Sequence, residues 1–110
     1  MSKVSSQSEK SAPVFAALGC MTRLELLSRL SDGKDHSITE LTDGLDLTRQ
    51  AVTKHLRVLQ DADIVSKRRA GRESRFTIRP NQIRHATDYL TRISAQWDDS
   101  IARLRATVEQ

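Results

Sequence analysis

A single cysteine, Cys20, leaves no partner for an internal disulfide and fits a reducing compartment. No stretch approaches the roughly 20 apolar residues needed to span a bilayer. The opening MSKVSSQSEKSAP has no apolar run of the kind a secretory leader carries. These absences predict a soluble, cytoplasmic protein with no membrane partner. Three scattered histidines, one cysteine and no glycine-rich phosphate loop offer no nucleophile–base pair, so no catalytic residue is named and no enzyme is expected. Internal repeats are also missing.

What is present is short and basic. A chain of 110 residues suits one domain. Its 37% hydrophobic content is enough for a small helical core. Burial alone stabilises so small a core only marginally, and association of subunits is a common remedy. The formal charge of +4 is unevenly spread. Nine basic residues lie between Arg49 and Arg79: Arg49, Lys54, Arg57, Lys67, Arg68, Arg69, Arg72, Arg75 and Arg79. Asp61, Asp63 and Glu73 are the acids of that stretch, giving it +6 and leaving −2 for the rest. A basic segment on a neutral-to-acidic body is an electrostatic footprint of a nucleic-acid binder, although a solvated charged surface would look the same.

Residues 1–11, rich in Ser, Lys and Gln, read as a mobile tail, leaving 12–110 as the domain. From Pro13 the pattern turns helical, with Val14, Phe15 and Leu18 on one face and Gly19 ending the run. A second helix carries Leu24, Leu27 and Leu30 in phase and stops at Asp32-Gly33. Ser37-Ile38-Thr39-Glu40 matches a capping box and opens a short helix that buries Leu41. Thr48 is a good N-cap for a helix over 48–62, whose inward stripe is Val52, Leu56 and Leu59. Over 64–79 the period changes from helical to alternating, around Ala70-Gly71-Arg72-Glu73, which predicts a β-hairpin. Pro80 then opens a long helix over 81–108. Its apolar residues Ile83, Ala86, Leu90, Ile93, Trp97, Ile101, Leu104 and Val108 recur at spacings of three and four. A stripe that long exceeds what so small a body can cover, and points to pairing with a second copy.

The expected architecture is therefore mainly α with a small β-hairpin: four helices, the hairpin, then a fifth, long helix. A short helix, a tight turn and a capped second helix with a polar outer face make a helix-turn-helix, whose second helix enters the major groove of duplex DNA. Arg49 can donate in bidentate fashion to guanine, Gln50 can pair with adenine, and Thr53 can touch a thymine methyl or donate a hydrogen bond. Lys54 and Arg57 suit the backbone. The hairpin is the wing. Its Lys67, Arg68, Arg69, Arg72 and Arg75 could follow a phosphate ridge or enter a narrow minor groove. The alternative is a winged-helix module that binds protein or RNA.

Several segments carry a family resemblance. They are Met21-Thr22-Arg23-Leu24-Glu25-Leu26-Leu27, Ile38-Thr39-Glu40-Leu41, the run from Leu47 to Leu59 (LTRQAVTKHLRVL), and Ala62-Asp63-Ile64-Val65. With these the chain resembles the ArsR-type winged helix-turn-helix regulators over about residues 13–108. The resemblance implies a homodimer built by the first and last helices, two recognition helices on an inverted-repeat operator, and repression relieved by a signal. On it, Val14, Phe15, Leu18, Leu90, Ile93, Trp97, Ile101 and Leu104 are expected at the dimer interface. Thr22 and Arg23 join the backbone contacts, Thr48 and His55 count with the DNA-binding residues of the recognition helix, and His55, in the family's K-H-L position, is more often a packing or backbone-contacting residue than a base reader. The chain departs from the pattern where Cys20-Met21 replaces a small residue and proline, and where Asp46 and Asp63 replace glycines. Aspartate tolerates left-handed backbone better than most residues, so these turns should survive. The family's metal-sensing motifs are missing as well. The C-x-C position reads Ser37 to Asp43 without a thiol, and His85 with Asp88 supplies two ligands where zinc wants about four. No metal and no cofactor is expected. An unidentified small-molecule effector has room in the reading, with Trp97 as dimer core or as the lining of its pocket.

Overall fold

The structure is a computed structural model, and it describes residues 6–108. In chain order the elements are helices α1 (Ser6–Leu18) and α2 (Met21–Leu30), strand β1 (His36–Ser37), helices α3 (Ile38–Thr42) and α4 (Arg49–Asp61), strands β2 (Val65–Ala70) and β3 (Glu73–Ile78), and helix α5 (Pro80–Val108). The expected four helices, wing and long helix are all present, so the chain folds as a winged helix-turn-helix.

Local chemistry explains most of the boundaries. Ser37 Oγ accepts from the Glu40 amide at 3.1 Å, and the Glu40 carboxylate accepts from the same hydroxyl at 3.3 Å. The first bond is the N-cap that opens α3; the carboxylate takes the Ser37 hydroxyl in place of the backbone N–H of a full capping box. Thr48 Oγ1 accepts from the Ala51 amide at 3.1 Å and starts α4. Asp63 stands at φ +59 directly after α4, the left-handed position where its relatives' glycine was expected. Asp46 takes no such conformation; the left-handed residue of that loop is Gly44, at φ +77. The hairpin turn has Gly71 at φ +64 followed by Arg72 at negative φ, the sign pattern of a type II′ turn, which matches the twist of the flanking strands.

The core is one cluster. Leu26 and Leu30 of α2, Leu41 of α3, Val52, Leu56 and Leu59 of α4, Ile64, Val65 and Phe76 enclose one another with no more than 3% exposure. Burying each of the fully covered leucines contributes about 1.5–3 kcal/mol. The inward stripe of α4 is as expected. In α2 the buried pair is Leu26 and Leu30, with Leu27 half-buried, whereas Leu24 points outward. The expectation of Leu24 in phase with Leu30 fails because the core reaches α2 from one side only.

Two further expectations are corrected. The predicted tail 1–11 does not hold for residues 6–11, which are helical; the remainder of it lies outside the described residues. α1 packs on α5 from its first turns: Ser8 Oγ donates to Tyr89 Oη at 3.2 Å, and Ser11 is only 1% exposed. Polar residues there are small enough for two helices to approach. The second correction is the sheet. The hairpin gains a third strand, and the antiparallel order is β1-β3-β2 with His36 opposite Phe76 and Ser37 opposite Arg75. A two-residue strand carries no alternation to read.

The chain is elongated, 67 × 32 × 24 Å, with a radius of gyration of 18.5 Å. A compact chain of this length would have about 13 Å. α5 is the cause. Ala86 is buried, but Leu90, Trp97, Ile101, Leu104 and Val108 are all exposed. No described helix is long and apolar enough to cross a membrane.

Candidate nucleic-acid interface

α4 is amphipathic because its apolar residues follow the helical period. Val52, Leu56 and Leu59 face the core, which turns Arg49, Gln50, Thr53, Lys54 and Arg57 to solvent on the other side. With Ile38 of α3 these five line a shallow recess of about 370 Å³. The structure thus brings together the base-reading and backbone residues expected from sequence. It also narrows one role. Thr53 Oγ1 donates to the Arg49 carbonyl at 2.7 Å, so its proton is used and its methyl and oxygen lone pair remain. Thr48 stays exposed at the helix start as the cap.

His55 is not on this face. It is half-buried against the start of α2, with Nδ1 accepting from Arg23 Nη1 at 3.3 Å and lying 3.9 Å from Cys20 Sγ. Nor is Arg23 on it. Its guanidinium donates to the Ala17 and Ala16 carbonyls at the end of α1. Carbonyls at a helix C-terminus lack intrahelical donors; the Ala16 carbonyl also accepts from the Gly19 amide at 3.4 Å, and Arg23 adds a donor to each. Arg23, expected to contact the DNA backbone, holds the end of α1 here. Thr22 is half-buried beside it. The Cys20 thiol is held below its ordinary range, chiefly by the Arg23 backbone N–H.

The cations of the basic segment fall into two groups. Arg49, Lys54, Arg57, Lys67, Arg69 and Arg72 are exposed and make no ion pair among the described residues. Lys67 lies mid-strand opposite Phe76, Arg69 near the end of β2, and Arg72 in the turn at the tip. Arg68, Arg75 and Arg79 are tied to carboxylates. Arg68 donates to Asp35. Arg75 reaches Asp35 at 3.1 Å, Glu40 at 3.2 Å and Glu73 at 3.0 Å, and its side chain is only 22% exposed. Arg79 pairs with Asp63 at 3.2 Å. Three of the nine cations of the basic segment are thus held by carboxylates, and Arg75 is the most enclosed of them.

The acids that tie them were not found from sequence. Asp35 sits in a D-G-K-D-H turn with no motif to mark it. Glu40 was read only as a capping residue. His36, one of the three scattered histidines, lies between carboxylates: Nε2 is 2.8 Å from Asp32 and Nδ1 is 3.0 Å from Glu40. Glu40, then Asp32, raise its pKa above the ordinary 6.5 against a smaller opposing effect of burial. Arg68 and then Arg75 hold the Asp35 carboxyl below its usual range.

The residues expected at a dimer interface divide as well. Val14 is 2% exposed and belongs to the chain's own core, so it offers nothing to a partner. Phe15, Leu18 and Ile93 are half-buried, and the Phe15 and Tyr89 rings sit 6.1 Å apart. Leu90, Trp97, Ile101 and Leu104 are open. Among the described residues no group of three or more His, Cys, Asp or Glu converges as a metal site would require.

Known proteins share this fold. Residues 14–68 match a family described as a helix-turn-helix domain. An uncharacterized HTH-type transcriptional regulator of Bacillus subtilis, YuzN, is 42% identical over 65 residues, which cover 54% of this chain and 71% of that protein. An ArsR-like transcriptional regulator from Rhodococcus sp. RHA1 superimposes with a TM-score of 0.76 at 35% identity, over 92% of this chain and 94% of that one. The crystal structure of another ArsR family transcriptional regulator gives 0.75 at 24% identity, over 89% and 97%.

Proposed function

The chain belongs to the ArsR-like winged helix-turn-helix transcriptional regulators, and on that premise we propose that it is a homodimeric repressor of an inverted-repeat operator. It is not an enzyme, as the family's members are regulators. In our reading two copies pair along the exposed outer part of α5, with Phe15 and Leu18 of α1 at the edge. Each α4 enters a major groove, one helical turn of DNA apart. Each wing lies on the adjacent backbone or minor groove. Bound over a promoter, the dimer blocks transcription in the cytoplasm.

The observation that carries this reading is the single exposed surface formed by Arg49, Gln50, Thr53, Lys54 and Arg57, with unpaired Lys67, Arg69 and Arg72 on the neighbouring hairpin. Base-reading donors and phosphate-binding cations stand where a winged helix needs them. The open stripe on α5 supports the dimer, since exposed apolar residues in such number are costly on a monomer. The recess at Gln96, Trp97 and Ser100, about 220 Å³, would become enclosed only under a second copy, and there we place an effector.

The test is binding to duplex DNA from upstream of its own gene, titrated with random duplex as competitor. A specific repressor binds its site roughly 10³–10⁷ times more tightly than random DNA. Arg49→Ala should cost about 1–3 kcal/mol and relax the choice at one base position. Equal affinity for all duplexes would sink the proposal.

A further inference from the structure

We propose that Asp35 is a positioning residue for DNA binding: it clasps the wing to the helix-turn-helix by bridging two arginines that face each other across the hairpin. The inference rests on the DNA-binding reading above. Arg68 of β2 and Arg75 of β3 are direct cross-strand partners. Opposed residues on a sheet have Cβ atoms about 4.5–5.5 Å apart, and like charges there repel. One carboxylate resolves that conflict. Asp35 accepts from Arg68 through Oδ2 and from Arg75 Nε through Oδ1, and its carbonyl accepts from Arg75 Nη2 at 3.3 Å. Asp35 immediately precedes β1, which is hydrogen-bonded to β3. The bridge therefore fixes both hairpin strands to the segment that leads into α3.

Glu40 extends the clasp. Its Oε1 accepts from Arg75 while Oε2 faces His36, so the residue that caps α3 also grips the wing. Glu73 takes the remaining end of Arg75. Asp35, Glu40 and Glu73 stand near a surface otherwise rich in free cations. If charge alone mattered, acids there would only repel phosphate, and removing one would tighten binding. A clasp gives the opposite sign. Without it the opposed arginines push apart, the hairpin loses its fixed posture, and Lys67, Arg69 and Arg72 no longer meet the backbone together.

The experiment uses the full chain and a duplex selected by the wild type from a random pool. Each phosphate contact is worth about fivefold in affinity at 0.15 M salt, from counterion release. Losing at least one per protomer should weaken Asp35→Asn more than about tenfold. Hydroxyl-radical protection beside the wing should fade, while protection of guanine N7 by α4 remains. The double variant D35N/R68Q removes one of the opposed cations. It should bind more tightly than D35N although it carries less positive charge, a gain that neither misfolding nor bulk charge provides. Circular dichroism reports whether each variant is folded. Binding by D35N as tight as the wild type, or tighter, overturns the inference alone. So does a double variant weaker than D35N. A wild type that selects no duplex overturns the DNA-binding reading and this inference together.

Discussion

The division between free and tied cations makes a quantitative statement about salt. Arg72, at the hairpin tip, is exposed and unpaired, whereas Arg79 pairs with Asp63 at the other end of the hairpin, where its amide donates to the Ile64 carbonyl at 2.7 Å. β3 rises about 3.3 Å per residue, so the two arginines are separated by about 20 Å. The Debye length at 0.15 M is about 8 Å, and a charge at the foot of the wing is screened from phosphate at its tip. Each lost phosphate contact lowers the slope of log K against log salt by about 0.9. In a dimer, Arg72→Ala should therefore flatten the slope by about 1.8 and cost roughly thirtyfold in affinity at 0.15 M. Arg79→Ala should leave the slope nearly unchanged. The six unpaired cations of α4 and the hairpin, twelve in a dimer, limit the slope that this surface can contribute to about −11. Fluorescence anisotropy of a labelled duplex between 0.05 and 0.3 M KCl reads all three values. Equal slope changes for the two variants would refute the sorting of charges, as would no change for Arg72→Ala.

Three further outcomes follow from the packing. Among the described residues the buried Ser11 hydroxyl has no hydrogen-bond partner, so Ser11→Ala should raise stability by about 1 kcal/mol, seen as a higher Tm; a fall would mean the hydroxyl is satisfied. The His36 pKa is raised in the folded state by Glu40 and Asp32, so its contribution is complete below the ordinary value near 6.5 and is lost as pH rises through the folded value. Urea midpoints between pH 5.5 and 8.5 should fall with pH in the wild type and flatten in His36→Gln, and parallel curves would contradict the assignment. Trp97 is 65% exposed on α5. As an interface anchor its loss should weaken self-association by about 2 kcal/mol or more, measured by sedimentation, without lowering the helix content of the monomer.

Features set by neighbours in the chain were readable, and those set by partners across space were not. The caps at Ser37 and Thr48 depend on one side chain reaching three residues ahead, so their identity is their signal. The hairpin was legible from alternation around Gly71, and the outer face of α4 from a period that leaves five polar residues off the stripe. Arg23, Arg68 and Arg75 look as free in the sequence as Arg49 or Arg72. Their partners lie 6 to 40 positions away, at Ala17, Asp35 and Glu40. Counting charge along the segment could locate the basic region but could not say which cations were already committed.

The same limit applies to α5, with a consequence for DNA spacing. Its apolar residues keep spacings of three and four from Ile83 to Val108, yet only the first part is covered by α1, through Ala86 and the contacts of Tyr89 with Ser8 and Phe15. No change in the pattern marks where coverage ends. The lengths do: α1 has 13 residues and α5 has 29, about 20 Å against about 44 Å at 1.5 Å per residue. α5 is thus some 24 Å longer than the helix that covers its beginning, and Trp97, Ile101 and Leu104 in its far part are exposed. Under the proposed dimer a second α5 related by a two-fold axis covers that length, each helix contributing the same residues. The register of this pairing then fixes how far apart the two α4 helices stand, and the operator must match it at about 34 Å between half-sites. A substitution in the α5 seam that leaves the dimer intact but shifts its register should therefore change the preferred half-site spacing while leaving the bases read by Arg49 and Gln50 the same.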